Sequence, residues 1–218
     1  MPVVGEHPRV RLTAAGTVPV DPRPQPWTCL VRVLRKSFMT EQRRSSRSKI
    51  LEGALDLIRN NQSVSLDSAA AAAGLTKPGL MYYYPSKAAL MRAIVDHLLD
   101  FYEGRVAKTV PSPDEASPEE RLIAYARWMM DGSDRADLVV FSDPRLTEEL
   151  AARWSARMRP WVEVPADLPA ERRARLLTLR AAAEGVWFAN ASGIHPYNAE
   201  ETEGVLQSLL TLVEKPVS

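Results

Sequence analysis

The sequence predicts an all-α protein: an N-terminal domain of three helices containing a helix-turn-helix, followed by a larger helical domain. Three observations predict it. From Ser45 onward, apolar residues recur at intervals of three and four in segment after segment. Residues 66–91 pack an alanine run, a glycine stop, a second helix start and three consecutive tyrosines into 26 residues, a denser set of helix-boundary signals than an ordinary core segment carries. Charge also divides along the chain: residues 1–38 hold 6 basic and 2 acidic side chains, residues 39–110 hold 10 and 7, and residues 111–218 hold 12 and 18. A basic front on an acidic back points to one polyanion-facing end on a body with another task.

Composition narrows the class further. With 218 residues, 45% apolar and 25% charged, the chain can bury a substantial core in one or two domains. No run approaches the roughly 18 apolar residues of a membrane span, and prolines interrupt every short apolar run in the first thirty positions, so neither a membrane partner nor a signal peptide is expected and the expected location is the cytoplasm. The single cysteine, Cys29, excludes an internal disulfide and a cysteine-based metal cluster, and no cofactor or metal site is expected.

Residues 1–38 contain Pro2, Pro8, Pro19, Pro22, Pro24 and Pro26 and no sustained period, which predicts a disordered or non-native extension with at most a short ordered stretch over 29–34. Met39-Thr40-Glu41-Gln42 reads as an alternative start. Ser45, Ser46 and Ser48 offer caps to a first helix whose Ile50, Ala54, Leu57 and Ile58 share one face and which ends at Asn60-Asn61-Gln62. Arg43, Arg44, Arg47 and Lys49 crowd its start, where cations oppose the helix dipole; either they form a solvated basic tail or an external anion compensates them. A second helix, Leu66 to Ala73, starts at Ser65 or Ser63 and stops at Gly74. Thr76 caps a third, with Pro78 in its first turn and an end near Tyr83 before Pro85. Two short helices across a tight glycine turn make a helix-turn-helix. Lys77, Gly79, Met81, Tyr82 and Tyr83 lie on the second member; lysine neutralises phosphate and tyrosine reaches phosphate oxygens or thymine methyls, whereas Tyr84 is placed as the buried ring. Ser86 then caps a long helix through about Val110 that connects the domains, with Leu90, Ile94, Leu98, Phe101 and Tyr102 at helical spacing.

Segment 46–94 resembles the DNA-binding domain of the tetracycline-repressor (TetR/AcrR) family. Ile50, Ala54 and Leu57, then Leu66 and Ala70, then Ala73-Gly74-Leu75-Thr76-Lys77 with Leu80, and finally Tyr84-Pro85-Ser86-Lys87-Ala88-Ala89-Leu90, carry the likeness over about a quarter of the chain. Pro78, Gly79 and Met81 depart from the common pattern. The resemblance implies a helix-turn-helix domain over 39–91 and a ligand-binding and dimerisation domain over 92–218. It further implies a homodimeric one-component transcriptional regulator, a repressor that a small hydrophobic effector releases from a palindromic double-stranded DNA operator. Thr76, Tyr82, Tyr83 and Lys87, with the region of Arg44 and Arg47, would lie near the phosphate backbone.

The C-terminal half carries no motif of comparable specificity. Pro111 to Pro118 reads as a linker ending in the helix start Ser117-Pro118-Glu119-Glu120, and helices follow over about 118–130, 136–142, 146–162, 170–192 and 199–213. Small residues along the last two permit the close approach of a four-helix dimer interface. Trp128, Met129, Phe141, Trp154, Met158, Trp161, Trp187 and Phe188 are candidates for an apolar effector pocket, with Glu184, Asn190 and His195 as polar candidates; singly, aromatic residues at this spacing also read as core. The rival classes are an enzyme with a DNA-binding appendage, against which stands the absence of zinc, phosphate-loop and nucleophile-elbow patterns, and a non-specific architectural DNA binder, against which stands the acidic back half.

Overall fold

The computed structural model describes residues 45–131 and 133–214. The expected disorder of 1–38, the stretch 29–34, the start at Met39 and the basic residues Arg43 and Arg44 lie outside the described residues. All regular structure among the described residues is helical: α1 (45–59), α2 (Leu66–Ala72), α3 (Lys77–Met81), α4 (Lys87–Val106), α5 (Pro118–Met130), a 3-10 segment (Arg135–Phe141), α6 (Thr147–Val162), α7 (Ala170–Ser192) and α8 (Ala199–Glu214).

Helix ends follow local chemistry. At the end of α1 Asn61 takes a left-handed φ of 57°, and its neighbour Gln62 donates its N–H to Leu57 O at 2.7 Å. α2 ends the same way: Gly74 has φ 68°, Gly74 N–H reaches Ala71 O at 3.1 Å and Leu75 N–H reaches Ala70 O at 2.8 Å. The paired bonds satisfy two orphan carbonyls and turn the chain sharply. Ser65, rather than Ser63, is the cap of α2, through a reciprocal pair of bonds with Ser68. Thr76 caps α3 and Ser86 caps α4 as the sequence predicts.

Two helices are shorter than their patterns. α3 closes at Met81 because the N–H groups of Tyr83 and Tyr84 both fold back on Leu80 O, at 2.9 and 3.0 Å. α4 has 20 residues, about 30 Å at the usual rise, and frays into turns before Val110. The segment expected as a helix over 136–142 is a 3-10 helix, started by a capping box between Asp134 and Asp137. α6 continues through Pro160, whose carbonyl accepts from Arg121 of α5.

One apolar cluster runs through both parts of the chain. It joins Ile50, Ala54 and Leu55 of α1, Leu80 of α3 and Leu90, Met91 and Ile94 of α4 to Leu122 of α5, Leu150 of α6 and Leu176 and Leu179 of α7. α4 belongs to both ends of it, so the N-terminal head is packed onto the body as well as tethered to it. Tyr102 of α4 stacks on Trp128 with centroids 4.5 Å apart and meets Trp154 edge-on at 5.8 Å.

On the outside, arginine forks join α4 to α6. Arg92 pairs with Glu149, Arg153 clasps Asp96 through bonds of 2.6 and 2.7 Å, and Arg157 reaches Asp100 at 2.5 Å and Glu103 at 2.6 Å. Three of these pairs share one sequence offset, 57 residues, so the two helices run parallel in a single register. Exposed pairs contribute little stability individually.

Gly53 of α1 sits where an added Cβ would lie 3.2 Å from Ala72 Cβ and 3.3 Å from its carbonyl carbon, whereas a Cβ on Gly104 of α4 would meet nothing within 4 Å. Gly53→Val is therefore expected to destabilise the fold by roughly 1–3 kcal/mol through overpacking, and Gly104→Ala to stabilise it by roughly 0.5–1 kcal/mol through helix propensity. Urea denaturation of the two variants checks the opposite signs.

Candidate functional site

The helix-turn-helix presents one face to solvent. Leu80 is fully buried beneath α3 and Tyr84 is buried at the corner, which turns Lys77, Pro78, Met81 and Tyr82 outward; Tyr82 is 65% exposed. Tyr83 is half-buried against the core and meets Tyr82 edge-on with centroids 5.1 Å apart. The Thr76 hydroxyl accepts from Gly79 N–H at 3.2 Å, so capping occupies one of its lone pairs. Lys77 pairs with Asp67 at 2.9 Å across the turn. Arg47 is exposed on α1, close enough for its charge to act on the Tyr84 hydroxyl, whose pKa burial raises. Of the DNA-binding candidates, Arg47, Thr76, Lys77, Met81 and Tyr82 are thus exposed on the head, Gly79 and Tyr83 are partly covered, and Arg44 is not described.

Lys87 faces the other way. Its ammonium lies 2.6 Å from Asp143, just past the 3-10 segment, and holds that carboxyl below its ordinary pKa. At the segment's other end Asp134 accepts from Arg59 of α1 at 2.6 Å. The Asp134–Asp143 stretch is therefore clamped at both ends by cations from the head.

Between those clamps the stretch walls a cavity of about 270 Å³ bounded by α5, α6 and α7. Met129, Phe141, Trp154 and Trp187 line it together with Tyr125, Asp137 and Glu184; an adjoining hollow of about 320 Å³ shares Tyr125, Trp154 and Glu184 and adds Met158 with the charged Arg159, Glu163 and Arg180. The other pocket candidates are not brought to this cavity. Trp128 is locked between Tyr102 and Tyr125 and borders a larger cleft of about 610 Å³ that carries Arg105, Arg127, Asp131 and Asn190. Trp161 lies beside a surface groove with Arg157, Phe188 is 46% exposed on α7, and His195 is exposed.

Asp137 is the residue the sequence reading passed over. It is 4% exposed. Oδ2 accepts from Trp187 Nε1 at 3.1 Å and from Asp134 N–H at 3.0 Å, while Oδ1 is enclosed without a hydrogen-bond partner among the described residues. Burial raises its pKa against those two bonds and the more distant Arg59. Glu184 is held at 2.9 Å by Arg180 and stands 3.4 Å from the Tyr125 hydroxyl, which burial and that carboxylate keep protonated. Among the described residues no group of three or more potential ligands could hold a metal ion.

A solvent-facing helix-turn-helix thus stands on a helical body with its own aromatic cavity. Residues 119–214 match the family profile described as "Tetracyclin repressor-like, C-terminal domain", covering the half in which single residues gave no motif. The fold is similar to a TetR-family transcriptional regulator from a Rhodococcus species (TM-score 0.56, 16% identity, 78% of this chain and 100% of that one). It is also similar to GusR of Salmonella enterica (0.51, 18%, 78% and 96%) and to the multidrug binding protein EbrR complexed with imidazole (0.50, 18%, 79% and 97%). No curated protein matches the sequence. The fold is thus one shared with TetR-family regulators, and residues 119–214 match the family's C-terminal domain.

The buried Asp137 carboxyl has a definite thermodynamic sign. Its folded pKa lies above the ordinary 3.8, so the folded state binds the proton more tightly, and stability falls as pH rises from that value through the raised one. Asp137→Asn keeps the oxygen that accepts from Trp187 and removes the charge. The variant is expected to melt higher than the unaltered chain at neutral pH, by roughly 2–4 °C for each kcal/mol relieved, with the gap closing below the ordinary aspartate range. Thermal melts across pH check it.

Proposed function

We propose that the protein is a dimeric repressor that grips a palindromic operator through α3 and is released when a small hydrophobic effector enters the 270 Å³ cavity. The observation that carries this reading is the double clamp: the segment that walls the cavity is held through Asp134 by Arg59 and through Asp143 by Lys87, both on head helices. An occupant pressing on Val140 or Phe141 moves those two carboxylates and tilts the head with them. The effector must bind the tilted state more tightly than the operator-fitting state. The small-molecule complex of EbrR is consistent with a cavity of this kind serving as a sensor.

Dimerisation is supported by α7 and α8. Ala174, Thr178, Ala181, Gly185 and Phe188 form an exposed stripe at steps of four and three, and Gly204, Ser208 and Thr211 do the same on α8. A Cβ on Gly185 or Gly204 would meet nothing within 4 Å inside the protomer, so the small side chains suit the approach of a second copy. Two heads then address half-sites about one helical turn apart or slightly more.

A footprint on DNA upstream of the coding region tests the reading: one protected palindrome is expected, and uniform coverage would identify an architectural protein instead. Lys77→Ala is expected to weaken binding on all sequences and to lower the slope of log K against log salt by about one. Gly185→Arg is expected to convert a dimer into a monomer in light scattering and to weaken operator binding with it.

A further inference from the structure

The chemistry by which α3 chooses its bases can be read from its outward face. We infer that the operator is recognised in the major groove through thymine methyl groups and that Pro78 and Met81 are the residues that meet them. Each half-site then carries two T·A pairs within about two steps of each other. This rests on the reading of α3 as the helix that grips the operator.

The first ground is the order of side chains round the helix. At about 100° per residue, Lys77, Met81, Pro78 and Tyr82 follow one another along a single arc of α3, turned away from the fully buried Leu80. Met81 and Pro78 stand at the crest of that arc, and Lys77 and Tyr82 at its flanks. All four are exposed, Met81 at 41%. A helix laid into the groove along that crest puts its apolar centre on the base edges and its ammonium and phenol toward the flanking backbones.

The second ground is what the face lacks. Base pairs are told apart in the major groove by hydrogen bonds, from arginine, lysine, asparagine, glutamine or carboxylates above all, and by apolar contact with the thymine methyl. Residues 74–86 contain no arginine, histidine, asparagine, glutamine, aspartate or glutamate. Lys77 gives its ammonium to Asp67 at 2.9 Å, and the Thr76 hydroxyl is turned into the helix as its cap. Proline and methionine side chains carry no hydrogen-bond donor, so of the groups that the groove displays the methyl is the one they can read.

The third ground is fit. An unbranched thioether adapts its shape to an irregular apolar surface, and covering a methyl with it removes apolar area from water. Residues three apart on a helix face lie about 5–6 Å from each other, against about 3.4 Å between stacked base pairs. Pro78 and Met81 therefore meet methyls one or two steps apart, on either strand.

The test begins with the full chain and a library of random-sequence duplexes, from which the retained molecules are sequenced. The most enriched duplex is resynthesised with deoxyuridine, which lacks only the methyl, at each thymine in turn, and titrated by fluorescence anisotropy. Loss of either facing methyl is expected to weaken binding about fourfold, and deoxyuridine outside the half-sites to change nothing. In Met81→Ala the penalty at one of the two thymines is expected to vanish. An enriched sequence on which deoxyuridine costs nothing, or whose half-sites hold no thymines at this spacing, overturns thymine-methyl recognition and leaves the operator reading intact. Penalties at both thymines that persist in Met81→Ala overturn the part given to Met81. No retention, or retention without an enriched sequence, overturns the operator reading and the inference with it. The comparison of thymine with deoxyuridine on the unaltered chain holds whether or not the variant folds.

Discussion

The structure depends on the clamping of the Asp134–Asp143 stretch. A 3-10 helix is a poor element on its own, because its hydrogen bonds are strained and its side chains eclipse. Here it persists because its two ends are fixed from outside, by Arg59 on α1 and Lys87 on α4, and its middle is fixed by the Asp134–Asp137 capping box and the Trp187 indole. One short segment thereby touches the head at two points and the cavity between them. Removing one clamp would leave the other and the fold's apolar cluster, which includes Ala136, Val139 and Val140 of this stretch, in place.

The head was legible in the sequence because its boundaries are made by single residues with local reasons. Gly74 is needed where φ is positive, Thr76 and Ser86 cap within three residues, and Pro78 sits where its missing N–H does no harm. The ends of α3 and α4 were less legible, since apolar spacing continues through Tyr83 and Val110 after the backbone has left the helix.

The cavity was half legible. Aromatic and methionine residues at helical spacing announce burial and not the side on which it happens: Trp154 and Trp187 reach the cavity, while Trp128 is packed between two tyrosines and Trp161 beside a groove. Asp137 falls inside the helix expected over 136–142, and as an aspartate followed by Leu138-Val139-Val140, an acid in an apolar run, it could have been singled out on that ground. The clamps depend on contacts 56 to 75 positions apart along the chain, which local patterns do not encode. The forks were visible in principle, as charges at one-turn spacing over 92–100 and 149–157, but only the fold reveals that the two runs face each other.

Their order of charges has a mechanical consequence. Along α4 the sequence of signs is plus, minus, minus at 92, 96 and 100, and along α6 it is minus, plus, plus at 149, 153 and 157. Sliding α4 by one turn in one direction sets Arg92 against Arg153; sliding it in the other sets Asp96 against Glu149. Either slip breaks at least two forks and creates a like-charge contact, whereas a small rotation about the line of forks stretches none of them much. The line of forks that joins α4 to α6 is therefore stiff along its length and compliant about it, so that in the proposed mechanism a signal from the cavity would reach the head as a change of angle.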